Sequence, residues 1–143
     1  MSCSIEIAAA GMSAQRRRLE VVASNLANAQ TTATAEGGPY RKRMVVFRAV
    51  GLERVDDPFA RELRREMRSV RVARVFQDPR PPQQVFQPGH PDADEAGYVL
   101  MPNINIVDEM INMIGAARSY EANLEVLKTA KRMSAAALEL TRI

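Results

Sequence analysis

Apolar residues recur every three or four positions along the C-terminal part of the chain, from residue 103 to residue 143. They are Ile104, Val107, Ile111, Ile114, Ala117, Tyr120, Leu124 and Leu127. This spacing places them on one face of an α-helix. Residues 105–143 contain no proline and only one glycine, Gly115. An unbroken helix over this range would be about 58 Å long. One small domain cannot cover such a length, so the apolar stripe needs a partner.

A second apolar stripe lies at the N-terminus and has a more regular period. Its positions are Ile5, Ala8, Met12, Gln15, Leu19, Val22, Leu26 and Ala29. Alternating steps of three and four over almost four heptads are typical of a coiled-coil seam, and only Gln15 in this series is polar. We therefore predict a helix over residues 4–29, about 39 Å long. It ends before a threonine-rich segment and a turn at Gly37-Gly38-Pro39.

Between residues 37 and 102 the helical spacing gives way to short runs separated by prolines. Seven of the eight prolines lie between residues 39 and 91. β-Branched and aromatic residues favour strands. Such residues occur in four runs: residues 44–47, residues 70–76, Val85-Phe86 and Tyr98–Leu100. The pair Asp57-Pro58 predicts the start of a short helix, because apolar residues follow it at helical spacing.

These patterns predict a mainly α protein with a small β-containing middle module, in which the long N- and C-terminal helices pair as a coiled coil. Residues 1–36 form the N-terminal helix and the loop after it. Residues 37–102 form the small, partly β, proline-rich middle module, and residues 103–143 form the long C-terminal helix. In that last helix the heptad spacing fails beyond Leu127, and an eleven-residue spacing fits better. Mixed periods indicate a helix that contacts several neighbours at different heights.

Positive charge is concentrated in the middle of the chain. Residues 41–80 contain twelve Arg or Lys and six Asp or Glu, a net charge of +6, while the whole chain carries +3. A basic segment can bind nucleic-acid phosphates, so an alternative function is a cytoplasmic coiled-coil adaptor that binds nucleic acid through this segment. However, glutamates interleave with the arginines, and no helix-turn-helix or RNA-binding signature is present. A solvated or subunit-facing surface is the favoured interpretation.

The segment His90–Glu95 is the only candidate for a metal site, since it holds one histidine and three carboxylates. It lacks the second histidine of a zinc site and the terminal bidentate glutamate of a calcium loop. We predict no metal and no cofactor. The chain also lacks the residues that nucleophilic catalysis needs, because it has one histidine, one cysteine (Cys3) and no Gly-x-Ser-x-Gly motif. We predict that the chain is not an enzyme.

Several motifs resemble the axial proteins of the bacterial flagellum, the family of rod and hook subunits. The terminal motifs are Gly11–Gln15, Ser24–Ala29, Asn103–Met110 and Arg118–Asn123. Two motifs of the middle module, Gly37–Arg41 and Pro88–Asp94, narrow the resemblance to a protein of the proximal rod. The resemblance covers nearly the whole chain and is weakest over residues 51–75.

The resemblance implies a structural subunit of the basal-body rod, the driveshaft that crosses the periplasm and transmits torque for motility. Such a subunit assembles helically with itself and with other rod proteins, and binds no nucleic acid. The N-terminus has no secretory signal and no segment long enough to span a membrane. Export through the flagellar type III apparatus, without a cleaved signal peptide, would account for this.

The terminal helices pair in this family, so we expect the first stripe to face the second. In this pairing Ile5, Met12, Leu19, Val22 and Leu26 face Val107, Ile111, Ile114, Leu124 and Leu127. The residues predicted at the subunit interface are Ile5, Met12, Leu19, Val22, Asn25, Leu26, Asn28, Val107, Met110, Ile111, Ile114, Tyr120, Leu124 and Leu127. In the free subunit we expect both ends to be largely disordered, because neither seam is stable in water alone.

Overall fold

The computed structural model describes residues 2–52 and 67–140, which form two long helices and two β-hairpins. In chain order the elements are α1 (Ser2–Ala27), β1 (Arg43–Gly51), β2 (Arg68–Gln77), β3 (Gln83–Phe86), β4 (Tyr98–Met101) and α2 (Ile106–Leu140). The prediction of a mainly α protein with a small β-containing middle is therefore confirmed. The helix predicted to start at Asp57 lies outside the described residues.

Asparagine side chains mark the inner ends of both helices. The amide of Asn28 donates to Ser24 O at 2.9 Å, which satisfies one of the carbonyls left open at the end of α1. Before α2, Asn105 Oδ1 accepts from Val107 N at 3.0 Å and from Asp108 N at 3.4 Å. These are the hydrogen bonds of an N-cap residue, so Asn105 caps the N-terminus of α2.

The turn between α1 and β1 depends on two glycines. Gly37 and Gly38 have φ angles of 87° and 78°, which suit glycine because it has no Cβ. Gly37 N donates to Thr34 O at 2.9 Å, and Thr34 N donates to Gly38 O at 2.9 Å. The predicted turn is confirmed, and it returns the chain to the C-terminal end of α1.

The strands form two separate antiparallel hairpins. In the longer one, β1 pairs with β2 from Arg43 opposite Gln77 to Gly51 opposite Arg68. One extra residue in β2, Ala73, shifts the register, as a β-bulge does. The shorter hairpin pairs β3 with β4. All four predicted strands are confirmed, each at the β-branched or aromatic run that predicted it.

The core lies along α1, which contacts α2 and the β1–β2 hairpin. Its buried apolar side chains are small: Ala8, Ala14, Val21, Val22, Val99 and Ala116. Among the described residues, the interior also holds four polar or charged side chains: Asn25, Ser69, Asp78 and Glu109. Because buried polar groups must find partners, hydrogen bonds as well as apolar contacts decide how these elements fit together.

Candidate subunit interface

Asn25 joins both helices to the first strand. Its side chain is 1% exposed, and its Nδ2 donates to Glu109 Oε2 on α2 at 2.9 Å and to Arg43 O at 2.8 Å. Its Oδ1 accepts from Arg43 N at 2.9 Å and from the Tyr40 hydroxyl at 3.2 Å. The amide thus donates twice and accepts twice, its full capacity. Asn25 therefore fixes the position of α1 relative to α2 and to the start of β1.

The carboxylate of Glu109 is buried beside this amide. Its Oε1 lies 2.8 Å from Lys42 Nζ, and its Oε2 accepts from Asn25. A buried carboxylate without a partner would cost several kcal/mol, so Lys42 and Asn25 together allow Glu109 to be buried. Lys42 belongs to the segment that leads into β1, and the ion pair therefore ties that segment to α2.

Two further contacts show that α1 and α2 run antiparallel. Arg18 on α1 donates to Asn112 Oδ1 on α2 at 2.9 Å. Gly11 lies against Asn123, because a Cβ added to Gly11 would be 3.0 Å from both terminal atoms of the Asn123 side chain. Together with Asn25, the contacting residues of α1 recur every seven positions. We call the face of α2 that meets them the inner face.

The opposite side of α2 carries large apolar side chains that the rest of the subunit does not cover. The exposed fractions are 62% for Val107, 49% for Met110, 63% for Ile111 and 55% for Ile114. These four positions share one helix face, and we call them the outer stripe. A contiguous exposed apolar patch of this kind marks a surface that binds another molecule.

The other residues predicted at the interface are less exposed. On α1, Val22 and Asn25 are buried inside the subunit. The remaining predicted residues are half-buried: Ile5, Met12, Leu19, Leu26 and Asn28 on or just after α1, and Tyr120, Leu124 and Leu127 on α2. The structure therefore divides the predicted set into an outer stripe on α2 and a group that already contacts its own subunit.

Within one subunit the expected facing of the two stripes is wrong for Val107, Ile111 and Ile114, which are exposed, whereas Leu124 and Leu127 are half-buried. The outer stripe is exposed, whereas the inner face of α2 holds Glu109, Ala116 and Asn123. The physical reason is the size of the side chains. Small and polar residues let the two helices approach closely and pair by hydrogen bonds, whereas large side chains increase the distance between helix axes.

Sequence reasoning missed six residues that hold the helix pair together, because it followed apolar positions and named only Asn25 and Asn28 among the polar ones. They are Gly11, Arg18, Lys42, Glu109, Asn112 and Asn123. A signal was present, since Gly11, Arg18 and Asn25 lie seven residues apart, and so do Glu109, Ala116 and Asn123. Heptad spacing of small and polar residues would have indicated the inner faces. No local pattern identifies Lys42, whose partner is distant in the sequence.

Asp78 anchors the end of β2 to the same segment. It is buried, its N donates to Lys42 O at 2.7 Å, and its Oδ2 lies 2.6 Å from an Arg80 guanidinium nitrogen. Hydrogen bonds from the side chain and backbone of Arg80 lower the pKa of Asp78 below its ordinary value of 3.8, although burial opposes them. The same contact raises the pKa of Arg80. Asp78 is therefore a charged anchor at neutral pH.

The carboxylates between β3 and β4 shape their own loop. Asp94 Oδ1 accepts from Ala96 N at 3.0 Å and from Tyr98 N at 2.8 Å, and Asp92 Oδ2 accepts from the Thr32 hydroxyl at 2.7 Å. Among residues 2–52 and 67–140, no three potential metal ligands lie together. Within the same residues, no helix has the length and hydropathy needed to cross a membrane.

Two family models match the chain, one at each end. Residues 5–33 match the model described as Flagella basal body rod protein, and residues 95–140 match Flagellar basal body rod FlgEFG protein C-terminal. The first match covers most of α1, and the second covers β4 and α2. The elements that form the helix pair are thus those of flagellar basal-body rod proteins.

Curated relatives extend this similarity over nearly the whole chain. Flagellar basal-body rod protein FlgC of Yersinia enterocolitica is 45% identical over 135 residues, which are 94% of this chain and 93% of the relative. The protein of the same name from Borreliella burgdorferi is 38% identical over 148 residues (96% and 95%), and that of Salmonella typhimurium is 43% identical over 135 residues (94% and 93%). The chain belongs to the FlgC family of flagellar basal-body rod proteins.

Family membership confirms the resemblance found in the motifs. The chain is a structural rod subunit of the flagellar basal body, and the prediction that it is not an enzyme is confirmed. The same finding favours the rod function over a nucleic-acid-binding adaptor, since the similarity covers both helices and the middle module.

Proposed function

We propose that this chain is a subunit of the proximal rod and assembles helically through its terminal helices into the torque-transmitting driveshaft for motility. The observation that carries the proposal is the outer stripe of α2. It is exposed on a helix whose opposite face already contacts α1. A neighbouring subunit is therefore needed to cover it.

The outer stripe is large enough to stabilise a subunit contact. Full burial of a Val, Ile or Met side chain contributes about 1.5–3 kcal/mol, and roughly half of each side chain in the stripe is still exposed. Covering all four would contribute on the order of 4 kcal/mol, which the loss of freedom on association offsets in part. A single contact of this kind is weak, so each subunit needs several neighbours.

Helical growth requires contact between two different surfaces, because such heterologous contacts do not close into a dimer. We infer that the outer stripe of one subunit packs on half-buried apolar positions of its neighbours and forms coiled-coil seams there. Those positions are Ile5, Met12, Leu19, Leu26, Tyr120, Leu124 and Leu127, and the remaining predicted residues, Val22, Asn25 and Asn28, would keep α1 in place. Residues 1–36 and 103–143 would then assemble, and residues 37–102 would be held between them.

Other rod proteins are the further partners of this subunit, and the flagellar type III apparatus exports it to the periplasmic rod without cleavage of a signal peptide. No cofactor and no nucleic acid take part in this function. The relatives that support this placement are named as basal-body rod proteins.

Charge placed in the outer stripe tests the proposal. The double variant Ile111→Asp/Ile114→Asp should fold, because both side chains are already exposed, but it should not enter the rod. Circular dichroism of the purified variant checks the fold. Immunoblots of isolated basal bodies and a motility assay, in cells that lack their own copy of the gene, check assembly.

A matched control is Lys131→Asp, which changes charge at an exposed position of α2 outside the stripe. It should enter basal bodies at the level of the unmodified chain. If the stripe variant is folded and is incorporated as well as this control, the outer stripe is not the assembly surface.

A further inference from the structure

A basic hollow lies between α1 and β2, away from the outer stripe. It has a volume of about 500 Å³. Three arginines and one glutamate line it, together with small or apolar side chains: Ala10, Ser13, Ala14, Arg16, Arg17, Glu20, Val70, Arg71 and Val72. The hydrogen bonds from Arg18 and Asn25 that join α1 to α2 do not involve this surface, which is open to solvent.

The positive charge of the hollow is not neutralised within the described part of the subunit. Arg17 lies 2.8 Å and Arg16 3.9 Å from the same carboxylate, that of Glu20. Arg71 is directly opposite Arg48 in the strand pair, and neither has an ion-pair partner among residues 2–52 and 67–140. Like charges placed opposite each other destabilise a strand pair. The three arginines and one glutamate that line the hollow leave a net charge of +2, and Arg48 adds a further positive charge across the strand pair. This balance favours an acidic partner.

The residues that line the hollow indicate which class of acidic partner can bind there. Guanidinium groups bind carboxylates through paired, charge-assisted hydrogen bonds. Between the arginines, Ala10, Val70 and Val72 offer apolar surface, and Glu20 repels a dense polyanion. A short polypeptide segment that bears a few carboxylates matches this mixture better than a phosphate backbone does.

The same chain exposes such a segment in the loop between β3 and β4. Asp92, Asp94 and Glu95 are exposed there, with a combined charge of −3, and Glu95 has no ion pair among the described residues. The loop is held by its own hydrogen bonds, including Gly97 N to Asp94 O at 2.9 Å and Asp94 N to Tyr98 O at 2.9 Å. A rigid loop loses little freedom on binding.

The loop does not fill the hollow of its own subunit. It contacts Thr32, beyond the end of α1, whereas the hollow is lined by α1 residues from Ala10 to Glu20. From Glu20 to the last residue of α1 the helix already rises by roughly 10 Å. The two charged surfaces are therefore separate and complementary in sign.

We propose that the acidic loop formed by residues 92–95 of one subunit docks in the basic hollow of the next copy of this chain. The contact joins two different surfaces of identical chains, so it is heterologous and continues from copy to copy. This inference rests on the proposed function, since it supplies a second contact to the same assembly, and it uses residues outside the predicted interface set.

Cross-linking between two variants tests the contact. In a Cys3→Ala background, Ser13→Cys places a thiol on the hollow and Ala96→Cys places one beside the acidic loop. Both positions are exposed. The two variants, one carrying an epitope tag, are expressed together, and isolated basal bodies are oxidised. A mixed disulfide dimer is the expected product, and the control pair Lys131→Cys with Ala96→Cys should give none.

Charge reversal provides the second arm. Arg71→Glu should not unfold the hairpin, because it places opposite charges across the strand pair. It should reduce the mixed dimer at least tenfold, as should Glu95→Arg in the loop. Combining Arg71→Glu in the hollow variant with Glu95→Arg in the loop variant should restore the dimer.

Basal bodies that contain both cysteine variants but yield no mixed dimer would overturn the proposal, and so would a dimer yield unaffected by charge reversal. The proposal is also overturned if Arg71→Glu keeps the subunit out of basal bodies while the unreversed cysteine pair gives no mixed dimer. The hollow would then bind a neighbour other than the acidic loop. Absence of both variants from basal bodies would instead contradict the proposed rod function.

Discussion

The hydrogen bonds of Asn25 explain why a polar residue occupies one of the most buried positions among the described residues. Its amide donates to Glu109 and to Arg43 O, and it accepts from Arg43 N and Tyr40. An aspartate could not donate, and a leucine would leave the backbone groups of Arg43 unpaired at a cost of about 1–3 kcal/mol each. Only an amide of this length serves all four partners.

We expect Lys42 to stabilise the folded subunit because it neutralises the buried carboxylate of Glu109. The change Lys42→Met keeps most of the side-chain volume but leaves the buried carboxylate of Glu109 without its cation. Removing one partner of a buried pair costs about 3–5 kcal/mol, and the partial exposure of Lys42 places the expected loss in unfolding free energy at about 3 kcal/mol. Urea unfolding followed by circular dichroism measures this loss.

The control for this prediction is the double variant Lys42→Met/Glu109→Gln, in which no unpaired charge remains buried. It should lose less stability than the sum of the two single variants, because the pair is coupled. Strictly additive losses would show that the ion pair does not contribute.

Asp78 makes the stability of the folded subunit depend on pH in the acidic range. Its pKa is lowered from 3.8 in the folded state, so its contribution to stability is fully present above pH 3.8 and is lost as the pH falls through the lower, folded-state pKa. The variant Asp78→Asn should therefore be less stable than the unmodified chain at pH 7. The difference should shrink as the pH falls below 3.8. Urea unfolding of both proteins between pH 2 and pH 7 provides the test, and a difference that stays constant with pH would contradict it.

At the scale of the elements, Gly11 sets the closest approach of α1 to α2. An added Cβ would lie 3.0 Å from two atoms of Asn123, and overpacking of this kind costs about 1–3 kcal/mol. Alanine also gains about 1 kcal/mol over glycine within a helix. We therefore expect Gly11→Ala to lower the unfolding free energy by about 1 kcal/mol.

Gly115 offers the matched control, because it lies in α2 and an added Cβ would meet nothing within 4 Å. Gly115→Ala should raise the unfolding free energy by about 0.5–1 kcal/mol. Thermal unfolding of the two variants in the same buffer compares them. Equal stabilisation by both changes would mean that the helices are not in close contact at Gly11.

The helices and strands could be predicted from the sequence, whereas the packing of these elements against each other could be predicted only in part. Helices and strands follow from periodicity and from residues such as Asn105, which caps α2. Exposed Val107 and Ile111 were correctly placed on one helix face, but their partner was not. The contact at the inner face depends on Gly11, which lets α1 approach α2 closely and whose own helix propensity does not reveal this role. It also depends on Lys42, whose partner Glu109 lies 67 positions later in the sequence. Such contacts leave no local pattern.

Over residues 2–52 and 67–140, the molecule buries several polar side chains and leaves many large apolar side chains exposed. The contact between its two helices is small and polar, around Asn25 and Glu109, while large apolar side chains of α2 remain outside. An apolar exterior is unfavourable for a free monomer and favourable for a subunit whose neighbours cover it. The single subunit is therefore best understood as part of an assembly, and its stability should depend on whether that assembly has formed.

Limited proteolysis compares the free and the assembled subunit. The C-terminal half of α2 exposes Lys131 and Arg132, and Met133 after them is 61% exposed. In dilute solution we expect proteinase K, which cuts with broad specificity, to trim both termini, including the chain near Lys131 and Arg132, because the helix ends beyond the Gly11–Asn123 contact fray without neighbouring subunits. In isolated basal bodies the same sites should be cleaved more slowly, because assembly holds the helix ends ordered and a protease cuts only chain that opens locally. Mass spectrometry of the fragments identifies the cleavage sites, and full protection of both termini in the free subunit would show that its ends are ordered without assembly.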